Sequence, residues 1–171
     1  MMEDSEAQRL GKARQGAHPE GTPRLYDDPN TEDIMGVGGE LAFAMRYNLE
    51  VDREVRPEGD GHVDFWVKIN GRMVSIDVKV ARKPINLLIK KWEINDMADI
   101  AVLGHYEDKG DIAAIKFLGW ETKDIMRLMP FKVWKPLNIE SYYRHSSQLR
   151  PMHQLDNLIW STSPLGASAF L

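Results

Sequence analysis

Cysteine is missing from this chain of 171 residues, and its absence excludes several kinds of site at once. Without thiols there is no disulfide framework, no thiolate metal centre and no cysteine nucleophile. Long apolar runs are missing too, since no stretch approaches the roughly 18 residues that a membrane-spanning helix needs. The polar N-terminus, with its mixed charges, also lacks the pattern of a secretory signal. We therefore expect a cytoplasmic protein that has no membrane partner.

Several familiar catalytic and binding signatures are also missing. The sequence contains neither a glycine-rich phosphate loop nor a G-x-S-x-G nucleophile elbow. His105, His145 and His153 show none of the spacings at which histidines share a zinc ion. These gaps argue against a P-loop nucleotide-binding protein, an α/β-hydrolase and a zinc enzyme.

A surplus of positive charge, which many nucleic-acid-binding proteins show, is not present either. The formal net charge is −4, and it is unevenly spread. Residues 1–33 hold 8 acidic and 4 basic side chains, so the remainder of the chain is neutral. A neutral domain whose clustered carboxylates are masked by a metal ion can still present a basic groove to DNA.

The strongest local signal in the sequence is a β-hairpin. Two runs rich in β-branched and aromatic residues, 62–69 and 72–80, are separated only by Asn70 and Gly71. Asn-Gly between two such runs is typical of a two-residue type I′ turn. The turn sets the register, in which Ile69 faces Arg72 and the pairing continues outward. Alternation in both runs then predicts one buried apolar face and one polar face that is open to solvent or to another molecule.

In this register two carboxylates face each other. Asp64 is expected directly opposite Asp77, and Lys79 points from the same face. Like charges in facing positions destabilise a pair of strands, so the sequence predicts a compensating cation. A divalent metal ion with oxygen ligands is the natural candidate. In the alternative interpretation no metal binds, and Lys79 and Lys68 bridge two exposed strand carboxylates.

The chain is expected to consist of a disordered tail over residues 1–30, one α/β domain over 31–160 and a second tail over 161–171. A helix is predicted over about 32–47, where glycines at 36, 38 and 39 either allow a close approach to its backbone or mark a later helix start. Further predicted elements are strands near 49–55, 100–105, 112–118, 131–133 and 141–144, and helices over 84–92 and 122–129. This order indicates an α/β sandwich rather than a doubly wound sheet.

Several of these residues together resemble a known family. Glu40 on a helix, Asp64 on one strand, and Asp77, Val78 and Lys79 on the next resemble the PD-(D/E)xK nuclease superfamily. Later pieces of the chain, among them residues 92–100 and 149–155, are similar to phage and prophage members of this group. The resemblance spans roughly residues 33–158. It implies a restriction-endonuclease-like α-β-β-β-α-β core, with a mixed central sheet flanked by helices.

The resemblance also implies a function and a role for each residue. It implies a Mg²⁺-dependent deoxyribonuclease acting in phage or prophage DNA processing, recombination or repair, in a bacterial host cell or encoded by a virus. Asp64 and Asp77 would hold the metal, with the Val78 carbonyl as a third ligand and Glu40 as an outer one. Lys79 would orient or help deprotonate the attacking water and offset charge in the transition state. Mn²⁺ would substitute for Mg²⁺.

The sequence departs from the family pattern at two positions. Val63 stands where the family has proline, which supplies no metal ligand. Asp77 stands where glutamate is commoner, and aspartate offers the same carboxylate on a shorter arm. Neither departure removes a group that the chemistry needs.

Two other classes of function remain open. One is a nuclease-like fold that binds DNA or a partner protein without cutting, which failure to bind metal would reveal. The other is an RNA nuclease or a junction-specific resolvase on the same fold. Resolvases usually act as dimers, so oligomeric state and substrate shape would separate them. The pattern leaves the oligomeric state open, with a dimer as one option, and does not distinguish cutting at ends from cutting inside strands.

Two groups of aromatic residues allow a structural and a functional interpretation. Trp92, with Lys90 and Lys91, either forms a basic stretch that contacts nucleic acid or lies buried in an amphipathic helix, which is our interpretation. Trp66 either stacks on a base or packs beneath the helix that carries Glu40, and we again expect packing.

Overall fold

The computed structural model of the protein describes residues 29–51, 62–107 and 114–161, together with Arg9. In chain order the elements are helix α1 (Pro29–Tyr47), strands β1 (Phe65–Ile69), β2 (Arg72–Ala81), β3 (Asn86–Lys90), β4 (Ile100–Tyr106) and β5 (Ile115–Thr122), helix α2 (Lys123–Met126), strands β6 (Phe131–Trp134) and β7 (Ile139–His145), and helix α3 (Met152–Trp160). Within these ranges, no helix is both long and apolar enough to cross a membrane. The predicted tails, apart from Arg9 and residues 29–30 and 161, lie outside the described residues.

The predicted hairpin is confirmed over its turn and its paired strands. β1 and β2 are antiparallel, and their pairing runs from Ile69 opposite Arg72 to Phe65 opposite Ile76. Asn70 and Gly71 both have positive φ angles, 49° and 80°, as a type I′ turn requires. The local turn chemistry therefore sets the register of the two strands.

Helix α1 begins at Pro29, slightly before its predicted start, and runs through all three glycines. A Cβ atom added at Gly39 would overlap Val80 Cγ2 and lie 3.4 Å from Val78 Cγ1. The helix therefore approaches strand β2 as closely as a residue without a side chain allows. This confirms the interpretation of close approach and excludes a helix that starts only after Gly39.

The main sheet has the strand order β1-β2-β4-β5 and is mixed. β2 and β4 are parallel, whereas the other two pairs are antiparallel. The coarse prediction of an α/β fold with a mixed sheet is thus confirmed. Two parallel neighbours need a crossover connection, and here residues 82–99 supply it.

The crossover corrects the prediction of a helix over 84–92. Residues 86–90 form strand β3, which pairs antiparallel with β7. Leu87 and Ile89 are buried while their neighbours are less so, which is the alternation of a strand. A short apolar run fits either periodicity, and here the distant partner strand decides the outcome. The described chain thus has a strand at the point where the expected α-β-β-β-α-β core has its second helix.

β3, β7 and β6 form a second, antiparallel sheet. Leu87 and Ile89 from this sheet pack on Ala101 and Leu103 of β4. On the opposite face of the main sheet, residues such as Phe43 of α1 pack against Ile76, Val78 and Val102. The second sheet therefore covers the polar face at β4 and around Asp77, which corrects part of the expectation, whereas Trp66 and Lys68 of β1 on that face are exposed as expected.

The remaining predictions are confirmed with altered bounds or are wrong in part. The strands predicted near 100–105, 131–133 and 141–144 are β4, β6 and β7. The strand predicted near 112–118 is β5, which begins later, and residues 112–113 lie outside the described ranges. The helix predicted over 122–129 is the shorter α2, which Thr122 caps. Residues 49–51 are not in a strand, and the rest of the strand predicted near 49–55 lies outside the described residues.

Helix α3 was not predicted, and a polar cluster fixes it to α1. Asp156 accepts hydrogen bonds from Arg46 Nε at 3.0 Å, from Arg46 Nη2 at 2.7 Å and from the Tyr47 hydroxyl at 2.7 Å. Leu155 and Ile159 of the same helix are buried in the main core. Helix α3 is thus held by apolar burial on one side and by a paired carboxylate on the other.

Candidate functional site

Strand β2 presents its polar residues on the face turned away from α1. Ile76 and Val78 point towards the helix side and join its core. Asp77 and Lys79 alternate with them and therefore point to the opposite face. They lie beside Ala101 and Leu103 of β4, whose side chains contact the second sheet. The two candidate catalytic side chains are thus placed between the two sheets.

Asp77 is almost fully buried, at 6% exposure, and one of its carboxylate oxygens makes no hydrogen bond to any described residue. The neighbour of that oxygen, Oδ2, is the Lys79 ammonium nitrogen at 2.7 Å. This contact is a short, charge-assisted ion pair, and Oδ2 has no other hydrogen-bond partner among the described residues. A carboxylate oxygen has two lone pairs, and a single ammonium contact occupies one of them. Asp77 therefore keeps acceptor capacity that the protein itself leaves unused.

Lys79 lies at the centre of a negative electrostatic field. Burial is the largest single influence on its pKa and favours the neutral amine. The attraction of Asp77, and then of Glu93 and Asp64, outweighs burial and raises the pKa of Lys79 above its ordinary value. Lys79 is consequently an ammonium ion at neutral pH. In this state it donates hydrogen bonds and stabilises negative charge, and it does not accept a proton.

Asp64 lies one residue before β1, where the regular pairing of the hairpin has ended. Its backbone N–H donates to the Ile76 carbonyl at 2.9 Å, and its Oδ2 accepts the Val78 N–H at 2.6 Å. The paired ladder stops at Phe65 opposite Ile76, so Asp64 is held beside the Asp77–Val78 backbone by its own carboxylate. The N–H and C=O of one strand residue point to the same edge. The Val78 carbonyl therefore faces the edge at which Asp64 lies.

Glu40 is 7% exposed and directly follows Gly39, the residue of closest approach between α1 and β2. The helix covers the Val78 face of the strand, whereas Asp77 points to the other face. Among the described residues, no three His, Cys, Asp or Glu side chains form a group that could hold a metal ion. The structure thus brings Asp64, Asp77 and Lys79 together, and it does not join Glu40 to the two aspartates in one ligand group.

Glu93 is a site residue that the sequence analysis missed. It is 9% exposed, its Oε1 lies 3.0 Å from Lys90 Nζ, and its charge contributes to the field at Lys79. Glu93 follows strand β3, and the prediction of a helix there hid its position next to β2. Only its place in segment 92–100, one of the segments on which the predicted resemblance to phage nucleases rests, would have singled it out.

The two tryptophan predictions are wrong. Trp66 is 60% exposed, because it lies on the edge strand β1, on the face that turns away from α1. Trp92 is 61% exposed, because it follows a strand and not a helix with an inner face.

Ser75 on β2 is held by Asp99, whose Oδ2 accepts a hydrogen bond from the Ser75 N–H at 2.9 Å and from its hydroxyl at 3.0 Å. Ser75 therefore links β2 to the start of β4.

A groove of about 420 Å³ connects the candidate site with the outward face of the second sheet. Its lining includes His62, Lys79 and Glu93 on the site side and Lys90, Trp134 and Lys135 on the side of the second sheet. The volume lies within the roughly 300–1,000 Å³ that is usual for ligand sites. The groove thus reaches Lys79 although the second sheet covers the main sheet around Asp77.

The donor atoms around Asp77 fit a hard divalent cation. Mg²⁺ is usually held by one or two carboxylates and keeps several waters. The structure supplies the Asp77 oxygen without a hydrogen bond, the adjacent Asp64 carboxylate and the Val78 carbonyl edge. All of these are oxygen donors, which Mg²⁺ and Mn²⁺ prefer over nitrogen and sulfur.

No protein-family model, curated protein or solved structure matches the chain. The geometry around Asp77 and the motif resemblance are therefore the grounds for a proposed function.

Proposed function

We propose that the protein is a Mg²⁺-dependent deoxyribonuclease of the PD-(D/E)xK type, which hydrolyses phosphodiester bonds during phage or prophage DNA processing, recombination or repair. The observation that carries this proposal is the buried Asp77 oxygen without a hydrogen bond, 2.7 Å from the Lys79 ammonium and beside the Asp64 carboxylate. A purely structural carboxylate would have its buried oxygens satisfied by hydrogen bonds.

Each residue has a defined role in this proposal. Asp64, Asp77 and the Val78 carbonyl would hold the Mg²⁺ ion, and Glu40 would act from outside this group. When bound, the ion supplies Lewis acidity towards a phosphodiester and lowers the pKa of water. Lys79, as an ammonium ion, orients the anionic phosphate group and stabilises the negative charge that develops on its oxygens.

The charge balance around Lys79 supports a divalent cation. Asp64, Asp77 and Glu93 surround the single ammonium group of Lys79. Three carboxylates against the ammonium groups of Lys79 and Lys90 leave an excess of negative charge, which would repel a phosphodiester that reaches Lys79. A divalent cation removes the excess of negative charge and allows the substrate to approach.

Cleavage assays on linear, circular, single-stranded and branched DNA with Mg²⁺ or Mn²⁺ test the proposal. The wild type is compared with Asp77→Ala and Lys79→Ala, and with the matched control variants Asp124→Ala and Lys116→Ala, which alter exposed residues. We expect metal-dependent cleavage that the first two variants lose and the two controls retain. The substrate pattern would then distinguish an exonuclease, an endonuclease and a resolvase. Absence of cleavage on every substrate, together with absence of metal binding by calorimetry, would overturn the proposal and leave a non-catalytic binding protein.

A further inference from the structure

The outward face of the second sheet carries a cluster of aromatic and basic side chains that the proposed chemistry does not use. The pairing of its strands places Lys132 beside Ser141, Trp134 beside Ile139 and Leu88 beside Tyr143 on this face. The other face of the sheet, with Leu87, Ile89 and Tyr142, packs on the core. The outward cluster is therefore not required to join the two sheets.

Within this cluster the rings and the cations are already arranged around one another. The Trp134 and Tyr143 rings meet edge to face, with their centroids 5.6 Å apart. The Lys132 ammonium lies 4.1 Å from the centroid of the Trp134 ring and 5.0 Å from that of Tyr143. Lys132 and Lys135 are both exposed, and neither forms an ion pair within the described part of the chain. Their positive charge is thus available to an anionic ligand.

The groove makes this cluster continuous with Lys79 of the candidate site. Trp134 and Lys135 line the same groove as Lys79 and Glu93. In the groove, Lys90 is paired with Glu93 and Lys79 with Asp77, so that Lys135 supplies the positive charge that no carboxylate of the described residues pairs. A ligand that occupies the groove would therefore contact an aromatic ring and lysines at the second sheet and would reach Lys79 without leaving the surface.

We infer that this groove binds an unpaired strand of DNA and leads it over Trp134 towards Lys79, so that the substrate of the enzyme is single-stranded DNA or the unpaired end of a duplex. This inference rests on the proposed nuclease function for the identity of the substrate. An aromatic ring flanked by lysines is the combination with which proteins bind single strands, through base stacking and phosphate contacts. A duplex keeps its bases stacked inside the helix, and it offers the Trp134 ring no base to stack on.

Binding measured without divalent metal separates this inference from the nuclease proposal. We would measure fluorescence anisotropy of the full chain in EDTA with a labelled thymidine oligonucleotide, a blunt duplex and a uridine oligonucleotide. The variants are Trp134→Ala, Trp134→Phe and Lys132→Ala/Lys135→Ala, with Trp160→Ala as a control for an exposed tryptophan on α3. Circular dichroism and thermal melting check that each variant is folded.

We expect the single strand to bind more tightly than the blunt duplex, and Trp134→Ala to weaken its binding about 10-fold. Trp134→Phe should retain most of the affinity, since a ring remains, and Trp160→Ala should not change it. Loss of both lysines should reduce the salt dependence of the binding constant by a slope of about 0.7 per lysine.

Three results would overturn the inference. The first is equal or tighter binding of the duplex, and the second is an effect of Trp134→Ala on single-strand binding that is no larger than that of Trp160→Ala. The third is preference for the uridine oligonucleotide, which would assign the groove to RNA. The two proposals also fail separately. Single-strand binding that depends on Trp134 but is not accompanied by cleavage would contradict the nuclease and leave the strand-binding groove in place. Metal-dependent cleavage together with strand binding that does not depend on Trp134 would contradict the strand-binding groove and leave the nuclease proposal in place.

Discussion

Glu121 on β5 and Asp77 on β2 are two buried carboxylates on strands that flank β4. They differ in how many hydrogen bonds their oxygens accept. Glu121 is 1% exposed, and its Oε1 accepts hydrogen bonds from Arg150 Nε at 3.1 Å and from the Thr122 N–H at 2.9 Å. Its Oε2 lies 3.1 Å from Arg144 Nε. Asp77 is 6% exposed, and its Oδ2 has the Lys79 ammonium beside it and no hydrogen bond.

The difference separates a structural carboxylate from one that is available to a ligand. A buried charge is destabilising unless it is paired and hydrogen-bonded, and Glu121 meets both conditions. Asp77 meets only the first, and a second carboxylate, Asp64, lies close to the same backbone segment. Two buried carboxylates that lie close together, one of them incompletely hydrogen-bonded, form a candidate site for a bound cation.

The largest expected effect is on activity and follows from Asp77→Asn. This change keeps the size of the side chain and removes the charge that would hold the cation, so we expect the cleavage rate to fall by about 10²-fold or more. Thermal stability should change little, because the loss of the ion pair with Lys79 is offset by the loss of the repulsion between Asp77 and Asp64. Cleavage rates with Mg²⁺ and a melting curve of the same preparation measure both quantities. If Asp77→Asn is less stable and equally active, Asp77 is a structural carboxylate like Glu121 and does not hold a cation.

Glu121→Gln should show the opposite pattern. The change weakens the contacts with Arg144 and Arg150, both partly exposed, so we expect a loss of about 2 kcal/mol in the free energy of unfolding. The cleavage rate per folded molecule should not change. Urea unfolding and the nuclease assay on one sample test the prediction. A large loss of activity at unchanged stability would contradict the division between the two carboxylates.

Gly39→Ala tests whether the Asp77 region depends on the helix behind its strand. The new methyl group would overlap Val80 Cγ2, so α1 must shift away from β2, and we expect a destabilisation of about 1–2 kcal/mol. Gly36→Ala is the matched control, since a Cβ there meets no atom within 4 Å. That control should gain up to about 1 kcal/mol from helix propensity. Equal stability of the two variants in urea unfolding would contradict the close packing of α1 on β2.

Asp156 provides a third carboxylate, with a smaller expected effect that depends on pH. Burial raises the pKa of Asp156, but hydrogen bonds from Arg46 and Tyr47 outweigh it and hold the pKa below its ordinary value. The resulting stabilisation is present above the pKa of the unfolded chain, about 3.9, and is lost as the pH falls through the lower folded value. Since Arg46 is 36% exposed, solvent screens the pair and we expect less than about 1 kcal/mol.

Urea unfolding of the wild type and Asp156→Asn at pH 7 and near pH 3 measures this contribution. The two proteins should differ at neutral pH and converge in acid. A difference that is the same at both pH values would show that Asp156 stabilises the junction of α1 and α3 through packing and not through its charge.

The candidate site was predictable from the sequence to the extent that local chemistry encodes it. Asn70 and Gly71 determine the turn, the turn determines the register, and alternation then places Asp77 and Lys79 on one face. The prediction was less accurate at Asp64, where the regular pairing ends. There a side-chain hydrogen bond to Val78 replaces the expected facing pair, and no turn signal encodes that bond.

What the sequence by itself determined is the set of features that depend on a few neighbouring residues: the hairpin, the strand pattern of β4 and the Asp77, Val78 and Lys79 element. Tertiary structure alone decided whether residues 86–90 form a strand, because their partner β7 lies more than fifty positions further along the chain. It also decided that the second sheet covers the Asp77 face and brings Glu93 and Trp134 into one groove with Lys79. Short apolar runs are compatible with both a helix and a strand, and only their packing against distant residues selects between the two.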